Sequence, residues 1–177
     1  MKARRVAENW VTPHPWSLVD KRRYGDVDSY RMAAAWLRFC KTVADWGGGG
    51  GFFRTHLQLG TQYVNIDGTQ QEGVDIVADL SKYRGESEGI LLRHVVDNTP
   101  EPWAVLENVL ASFTKRLVIV TYTPHAPESA VVAYQHGWPV WHLNHDDLVA
   151  ALGSSFVRSQ TTYRGSERLY YCARGPR

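Results

Sequence analysis

The sequence predicts an α/β domain whose mostly parallel sheet is covered by helices on both faces. Five consecutive glycines, residues 47–51, follow a short apolar segment that is typical of a strand. Further along, two strand-like segments each end in an aspartate. A helix with apolar residues at helical spacing then precedes a fully apolar strand at 117–122, a pattern typical of a strand buried in a parallel sheet. We therefore expect strands and helices to alternate along the chain.

The first half of the chain is predicted to hold the glycine turn and the elements around it. We expect an irregular N-terminal lid or arm over residues 1–28 and a core over 29–177, with Ser29 capping the first helix. The predicted elements are a helix, the strand before the glycines, a second helix and three strand segments, at 29–39, 43–46, 52–59, 63–67, 74–80 and 89–98.

The second half is predicted to complete the sheet. Trp103, Leu106 and Leu110 recur at helical spacing, and Pro102 suits a first helical turn. Asn144 can cap a short helix that Gly153 ends. The predicted elements are two helices, the apolar strand and a closing antiparallel hairpin, at 102–113, 145–152, 117–122, 155–163 and 168–173.

Composition limits the class of protein. A chain of 177 residues, 44% hydrophobic, is long enough for one domain with a real core. No apolar run approaches the ~18 residues that a membrane span requires, and the basic N-terminus is not followed by the apolar stretch of a signal peptide. Two cysteines form no disulfide framework, so we expect a cytoplasmic protein. The net charge of +2 does not by itself indicate a nucleic-acid partner.

The glycine run is the strongest functional signal. Glycine allows positive φ angles and lets a ligand approach the backbone, and a helix N-terminus offers unpaired N–H groups. A dinucleotide fingerprint would place Phe52 or Phe53 where its third glycine belongs, and a P-loop would need a lysine that is absent. The spacing that fits is D-x-G-x-G-x-G, from Asp45 to Gly51. The alternative is that the run is only a flexible loop.

This spacing resembles motif I of the class I S-adenosylmethionine-dependent methyltransferases, and the resemblance covers about residues 40–174. It implies a Rossmann-like, seven-stranded, mostly parallel sheet with a C-terminal antiparallel hairpin, and S-adenosyl-L-methionine as the cofactor. Asp67, at the end of the 63–67 strand, would accept hydrogen bonds from the ribose hydroxyls. Asp79 would bind the adenine amino group, beside the Leu80 N–H. The implied cofactor-binding residues are Asp45, Gly47, Gly49, Gly51, Asp67, Gly68, Asp79, Leu80 and His94. Asp67 and Asp79 could instead only close turns.

The block His94-Val95-Val96-Asp97-Asn98 resembles the HVLEH block of small-molecule methyltransferases, with Asn98 in place of the second histidine. Ligands of open α/β sheets bind at the carboxyl ends of the strands, which places His94, Asn98, Tyr122 and His125 around one crevice. Since histidine titrates near neutrality, His94 and His125 are the candidate catalytic bases. Either could instead be a hydrogen-bonded structural residue.

The acceptor is predicted by exclusion. The chain lacks the Asn/Asp-Pro-Pro-Tyr/Phe motif of exocyclic-amine methyltransferases and a Pro-Cys nucleophile. O-, carboxyl- or N-methylation of a small-molecule acceptor remains, with Asn98, Tyr122, Trp16 and Tyr24 as candidate substrate contacts. The aromatic segment 134–142 could also line or cover the acceptor pocket. His142 and the nearby His145 lack an evident third ligand, so no metal site is predicted.

Two other functions stay open. Basic clusters at residues 2–5 and 21–23, near aromatic residues, could serve a nucleic-acid methyltransferase. The chain could also be a cofactor-fold protein without methyl-transfer activity. The sequence specifies neither the acceptor nor the oligomeric state.

Overall fold

The structure is a computed structural model that describes residues 27–122, 126–135 and 137–175. Those residues form three α-helices, two short 3-10 helices and nine strands. The helices are α1 Val27–Leu37, α2 Pro102–Ser112 and α3 His145–Leu152. The strands are β1 Thr42–Trp46, β2 Gln62–Asp67, β3 Ile76–Val77, β4 Ser87–Arg93, β5 Phe113–Tyr122, β6 Ala130–Gln135, β7 Trp138–His142, β8 Phe156–Thr161 and β9 Glu167–Ala173.

Seven of the strands form one sheet in the order β3-β2-β1-β4-β5-β9-β8. Strands β1 to β5 pair in parallel, β9 pairs antiparallel with β5, and β8 pairs antiparallel with β9. The predicted seven-stranded, mostly parallel sheet with a C-terminal antiparallel hairpin is confirmed. Strands β6 and β7 form a separate antiparallel hairpin that the sequence did not reveal.

Successive residues of the central strands face opposite sides of the sheet, and both sides are buried. On β4, Ile90 and Leu92 pack in one core cluster with residues of α2 and α3, while Leu91 packs in a second cluster with residues of α1. All three side chains are 0% exposed. Burial on both faces explains why this strand is continuously apolar rather than alternating. The prediction of helices on both faces is confirmed.

Local signals predicted several boundaries well. Helix α3 begins at His145, where the Asn144 side chain accepts hydrogen bonds from the N–H groups of Asp146 and Asp147 at 2.8 and 3.0 Å. It ends at Leu152, before Gly153, whose φ is +53°. The first predicted cap was wrong. Ser29 lies inside α1, and its hydroxyl accepts from the buried Arg93 Nε at 3.0 Å.

The helix predicted from the glycine run to residue 59 was also wrong. Only a 3-10 helix, Phe52–His56, follows the glycines, and Leu57 is already extended. The Thr55 hydroxyl donates to the Phe52 carbonyl at 2.9 Å, a side-chain bond that competes with helical hydrogen bonding. The strand predicted over 74–80 is likewise short, reduced to β3.

Candidate functional site

The glycine run forms a defined loop at the carboxyl end of β1. Gly47, Gly49 and Gly51 have φ angles of +77°, +52° and +74°, which side-chain-bearing residues rarely adopt. Gly47 is also confined by packing, since a Cβ atom built there would lie 2.3 Å from the Val95 Cγ2. The Gly47 N–H donates to the Ile66 carbonyl at 2.7 Å. These contacts favour an ordered loop over a flexible linker.

Asn65 on β2 holds this loop from one side. Its side-chain NH₂ donates to the carbonyls of Gly49 at 2.8 Å and Gly73 at 2.7 Å. The side chain is 0% exposed. Asn65 therefore ties the glycine loop to the turn between β2 and β3. Sequence reasoning missed this residue. The available signal was its position in β2, two residues before Asp67 and so on the same strand face.

Asp67, the predicted ribose-binding acid, lies beside the same loop. One carboxylate oxygen accepts from the Gly49 N–H at 2.9 Å, and the other accepts from the Thr69 N–H at 2.9 Å. Burial raises the pKa of Asp67, although the N–H groups of Thr69, Gly49 and Gly68 oppose the rise. Gly68 follows directly, with only the Ala78 carbonyl oxygen near an added Cβ, at 3.9 Å. Asp67 therefore joins the end of β2 to the glycine loop.

Asp45, the first residue of the predicted motif, is 2% exposed. Its carboxylate accepts a hydrogen bond from the Tyr63 hydroxyl at 2.8 Å. Burial raises the pKa of Asp45 to about 7, against the opposing effect of the Tyr63 hydrogen bond. Tyr63 is a second residue that sequence reasoning missed. Tyr63, Asn65 and Asp67 thus present three polar groups from alternate positions of β2 to the loop and its base.

Asp79 and Leu80 follow β3 at the same edge of the sheet. The Asp79 carboxylate accepts from the Ser81 hydroxyl at 2.6 Å and lies 3.0 Å from the Lys82 Nζ. Burial would raise the pKa of Asp79, but the hydrogen bonds from Ser81 and Lys82 outweigh it and lower the pKa. Leu80 is buried, and its side chain packs near Gly47. Within the described part of the chain, the Leu80 N–H donates to no backbone acceptor.

His94 follows β4 with a φ of +53°, the single positive φ among the described non-glycine residues. Its ring is buried between two carboxylates, with Nδ1 3.2 Å from the Asp97 Oδ2 and Nε2 2.6 Å from the Glu167 Oε1. The ring stacks on Tyr122, with centroids 3.8 Å apart. The Asn98 side chain donates to the His94 carbonyl at 3.1 Å. The structure therefore brings together His94, Asn98 and Tyr122.

Arg93 and Glu167, which sequence reasoning missed, form a buried ion pair beside His94. The Arg93 Nη2 lies 2.7 Å from the Glu167 Oε1, with side chains 5% and 1% exposed. Burial would raise the pKa of Glu167, but the His94 hydrogen bond and the charges of His94 and Arg93 hold the pKa below its ordinary value. The available signal was a charged residue directly after the apolar run of β4, which in a buried strand requires a partner.

Three of the remaining predicted positions, Trp16, Tyr24 and His125, lie outside the described residues. The aromatic segment 134–142 belongs to the β6–β7 hairpin. Trp141 in this hairpin donates from its backbone N–H to the Asp97 carbonyl and from its indole N–H to the Thr99 carbonyl, both at 2.9 Å. The hairpin therefore docks onto the loop that follows β4.

Other features of the described residues bear on the site's chemistry. No group of three or more His, Cys, Asp or Glu side chains in that part of the chain is arranged to hold a metal ion. None of its helices is both long and apolar enough to cross a membrane.

A cavity of about 340 Å³ lies at the opposite edge of the sheet, lined in part by Lys41 and Gln62 at the amino ends of β1 and β2.

Comparison with known proteins identifies the fold. No family model and no curated protein matches the sequence. Among solved structures, the 1,6-didemethyltoxoflavin-N1-methyltransferase of Burkholderia thailandensis, with bound S-adenosylhomocysteine, is 20% identical over 97% of this chain and 94% of its own, with a TM-score of 0.67. The magnesium protoporphyrin IX methyltransferase of Synechocystis PCC 6803 is 18% identical over 84% and 83%, with a TM-score of 0.59.

A third similar structure, the 4+2 cyclase SpnF, is 12% identical over 83% of this chain and 65% of its own, with a TM-score of 0.61. This protein is named for a cyclisation, so likeness of fold does not by itself specify methyl transfer. The seven-stranded, mostly parallel sheet with its antiparallel hairpin agrees with these comparisons. The chain has the Rossmann-like fold of the class I S-adenosylmethionine-dependent methyltransferases.

Proposed function

We propose that this protein binds S-adenosyl-L-methionine and transfers its methyl group to a small-molecule acceptor. The observation that carries the proposal is the glycine loop. Three of its residues have left-handed backbone conformations, and its Gly49 N–H is bonded to the Asp67 carboxylate. This arrangement supports close approach of a ligand to the backbone next to an acid that can accept ribose hydroxyls.

The residues present fit the proposed cofactor. At Gly49 an added Cβ would have only the Gln71 Nε2 nearby, at 3.7 Å, so the loop has open space on that side. Asp67 would bind the ribose beside this space, with Gly68 next to it. Asp79 and the Leu80 N–H would bind adenine, while Asp45 would hold the loop at its base. The sulfonium of the cofactor would supply the electrophilic methyl group.

The acceptor side of the proposed site includes Asn98 and Tyr122, and we add Trp16 and Tyr24 from the sequence. The two methyltransferases compared above carry the names of small-molecule substrates, which favours an acceptor of that size. Both ring nitrogens of His94 already contact carboxylates. We therefore favour transfer by proximity and in-line alignment, with His125 as the candidate base where the acceptor must lose a proton.

A second candidate function is binding of the same cofactor without methyl transfer. The similarity of fold to SpnF supports this second candidate, because SpnF is named for a cyclisation and not for methyl transfer. The proposed compartment remains the cytoplasm, where the buried cysteines Cys40 and Cys172, which form no disulfide, would stay reduced.

Calorimetric titration with S-adenosylmethionine and S-adenosylhomocysteine tests the proposal. We expect saturable binding of both, and release of S-adenosylhomocysteine when the protein is incubated with S-adenosylmethionine and a panel of small hydroxyl, carboxyl and amine acceptors. Binding without turnover on any acceptor class would favour the second candidate. Failure of both ligands to bind the folded protein would refute the proposal. A steep salt dependence of RNA or DNA binding would instead favour a nucleic-acid acceptor.

A further inference from the structure

A buried polar cluster joins β4, β9 and α1 at the carboxyl edge of the sheet. Arg93 donates from Nη2 to the Glu167 carboxylate at 2.7 Å, from Nε to the Ser29 hydroxyl at 3.0 Å, and from Nη1 to the Tyr30 hydroxyl at 3.1 Å. Its guanidinium also lies 4.2 Å from the centroid of the Tyr30 ring. Arg93 therefore fixes the first turn of α1 against the end of β4.

Such a cluster is a poor source of stability. Removing two charges from water costs several kcal/mol per ion, and a buried ion pair recovers this cost only with good geometry and further hydrogen bonds. Arg93 and Glu167 are 7% and 1% exposed, so they are nearly desolvated. The role of the cluster is therefore better sought in what it holds in place than in the free energy of folding.

What it holds is the ring of His94. The two ring nitrogens lie 3.2 Å from the Asp97 Oδ2 and 2.6 Å from the Glu167 Oε1, so a carboxyl group faces each side of the ring and sets its orientation. The positive φ of His94 is a strained conformation for a residue with a side chain, and it persists because its surroundings fix it.

The His94 ring in turn fixes Tyr122 and Asn98, which are predicted to contact the methyl acceptor. Tyr122 stacks on His94 and donates its backbone N–H to the Asp97 carboxylate at 3.1 Å. The Asn98 side chain donates to the His94 carbonyl at 3.1 Å and to the other Asp97 oxygen at 3.2 Å. A continuous chain of contacts thus runs from Glu167 through His94 to both Tyr122 and Asn98.

We propose that Glu167 is a positioning residue of the acceptor side of the site: it fixes the His94 ring, and through that ring Tyr122 and Asn98. The proposal rests on the proposed function, because only that function makes this edge of the sheet a site. His94 is then a fixed wall against which an acceptor packs, and both of its ring nitrogens already contact carboxyl groups. Through Arg93, the same carboxylate is also linked to Ser29 and Tyr30 in the first turn of α1.

Nuclear magnetic resonance of the ¹⁵N-labelled full chain tests this without knowledge of the acceptor. In the wild-type protein we expect a proton on the His94 Nε2 that is donated to Glu167 and protected from solvent exchange. Exchange of S-adenosylhomocysteine for S-adenosylmethionine should shift the His94 and Tyr122 ring signals, because the proposal places the acceptor side of the site, and so the transferred methyl group, beside these rings. A His94 Nε2 without a proton in the wild-type protein, or one whose proton exchanges freely with solvent, would overturn the proposal, and this measurement requires no variant to fold.

The variant experiment compares Glu167→Gln with Glu88→Gln. Glu88 is also ion-paired, to Lys115 at 2.8 Å, but it lies near the amino end of β4, far from the site. We expect Glu167→Gln to displace the His94 and Tyr122 ring signals while the Kd for S-adenosylhomocysteine changes less than about threefold, a free-energy difference of well under 1 kcal/mol. Glu88→Gln should leave those signals unchanged.

The outcomes separate the two proposals. If Glu167→Gln leaves the His94 and Tyr122 signals in place, or if Glu88→Gln displaces them equally, Glu167 does not position the ring. If S-adenosylhomocysteine binds but neither ring responds to the exchange of the two ligands, the cluster lies away from the methyl group and the inference is overturned. If neither ligand binds the folded wild-type protein, the proposed function fails, and the positioning role fails with it.

Discussion

Gly48 provides the most direct test of the loop geometry. It occupies a variable position of the D-x-G-x-G-x-G spacing, so the motif alone allows any residue there. The structure, in contrast, leaves no room for a side chain at this position. A Cβ atom built at Gly48 would lie 2.3 Å from the Asn65 Oδ1 and 2.5 Å from the Asp45 Oδ2. Because Gly48 does not have a positive φ, the penalty in Gly48→Ala comes from these contacts alone.

The size of the penalty follows from what must move. To reach ordinary contact distance, the side chains of Asn65 and Asp45 must shift by about 1 Å. This would disturb the two hydrogen bonds of Asn65 and the one from Tyr63 to Asp45. At roughly 0.5–1.5 kcal/mol for each of three bonds, we expect Gly48→Ala to lower the free energy of unfolding by about 2–4 kcal/mol.

Denaturant unfolding measures this effect, with Gly49→Ala as the matched comparison. Gly49 has a φ of +52° and no atom closer than 3.7 Å to an added Cβ, so its substitution carries backbone strain of about 1–2 kcal/mol without a clash. We expect Gly48→Ala to be the more destabilising of the two and to weaken S-adenosylhomocysteine binding. A Gly48→Ala protein as stable as wild type would refute the loop geometry on which the site is built.

Three further predictions concern acids and bases of the site. Asp67→Ala should weaken S-adenosylhomocysteine binding by about 1.5–3 kcal/mol in calorimetry, since a charged hydrogen-bond acceptor is lost; unchanged affinity in a folded variant would remove the ribose assignment. Burial raises the folded-state pKa of Asp45 to about 7. The stability that this carboxyl group contributes is therefore fully present below pH ~4 and is lost as the pH rises through 7. Urea unfolding should show Asp45→Asn gaining stability relative to wild type between pH 5 and 8. His125→Ala should slow turnover about 10²–10⁴-fold on an acceptor that needs a protein base while cofactor affinity is retained, and an unaltered kcat would leave proximity as the main contribution.

Features that depend on neighbouring residues in sequence were predictable. The cap of α3 at Asn144, its end at Gly153 and the start of α2 at Pro102 follow from residue preferences that act within one helical turn. The seven-stranded, mostly parallel sheet with its C-terminal antiparallel hairpin followed from the resemblance carried by the glycine spacing and the acids after it. Each of these features required only local patterns or their order along the chain.

Features that depend on distant contacts were not predictable. The pair of Arg93 and Glu167 joins residues that are 74 positions apart, on strands separated in the sheet by β5. Ser29 resembles a helix cap in sequence, and only the packing of α1 against β4 turns its hydroxyl towards Arg93. The 3-10 helix after the glycines is an exception, because the bond from the Thr55 hydroxyl to the Phe52 carbonyl joins residues only three positions apart.

The polar contacts around the glycine loop have a structural cause in the sheet itself. Parallel strands are usually joined by a crossover of a dozen or more residues, commonly a helix. Here the connections from β2 to β3 and from β3 to β4 contain no helix. The β2–β3 turn packs directly on the glycine loop instead: a Cβ at Gly73, whose φ is +88°, would lie 2.7 Å from the Gly50 carbonyl oxygen. Asn65 bonds to both segments because no helix is present there to pack them. Loop shape at this site is thus fixed by side chains of β2, which makes the strand, as well as the glycines, part of the proposed cofactor site.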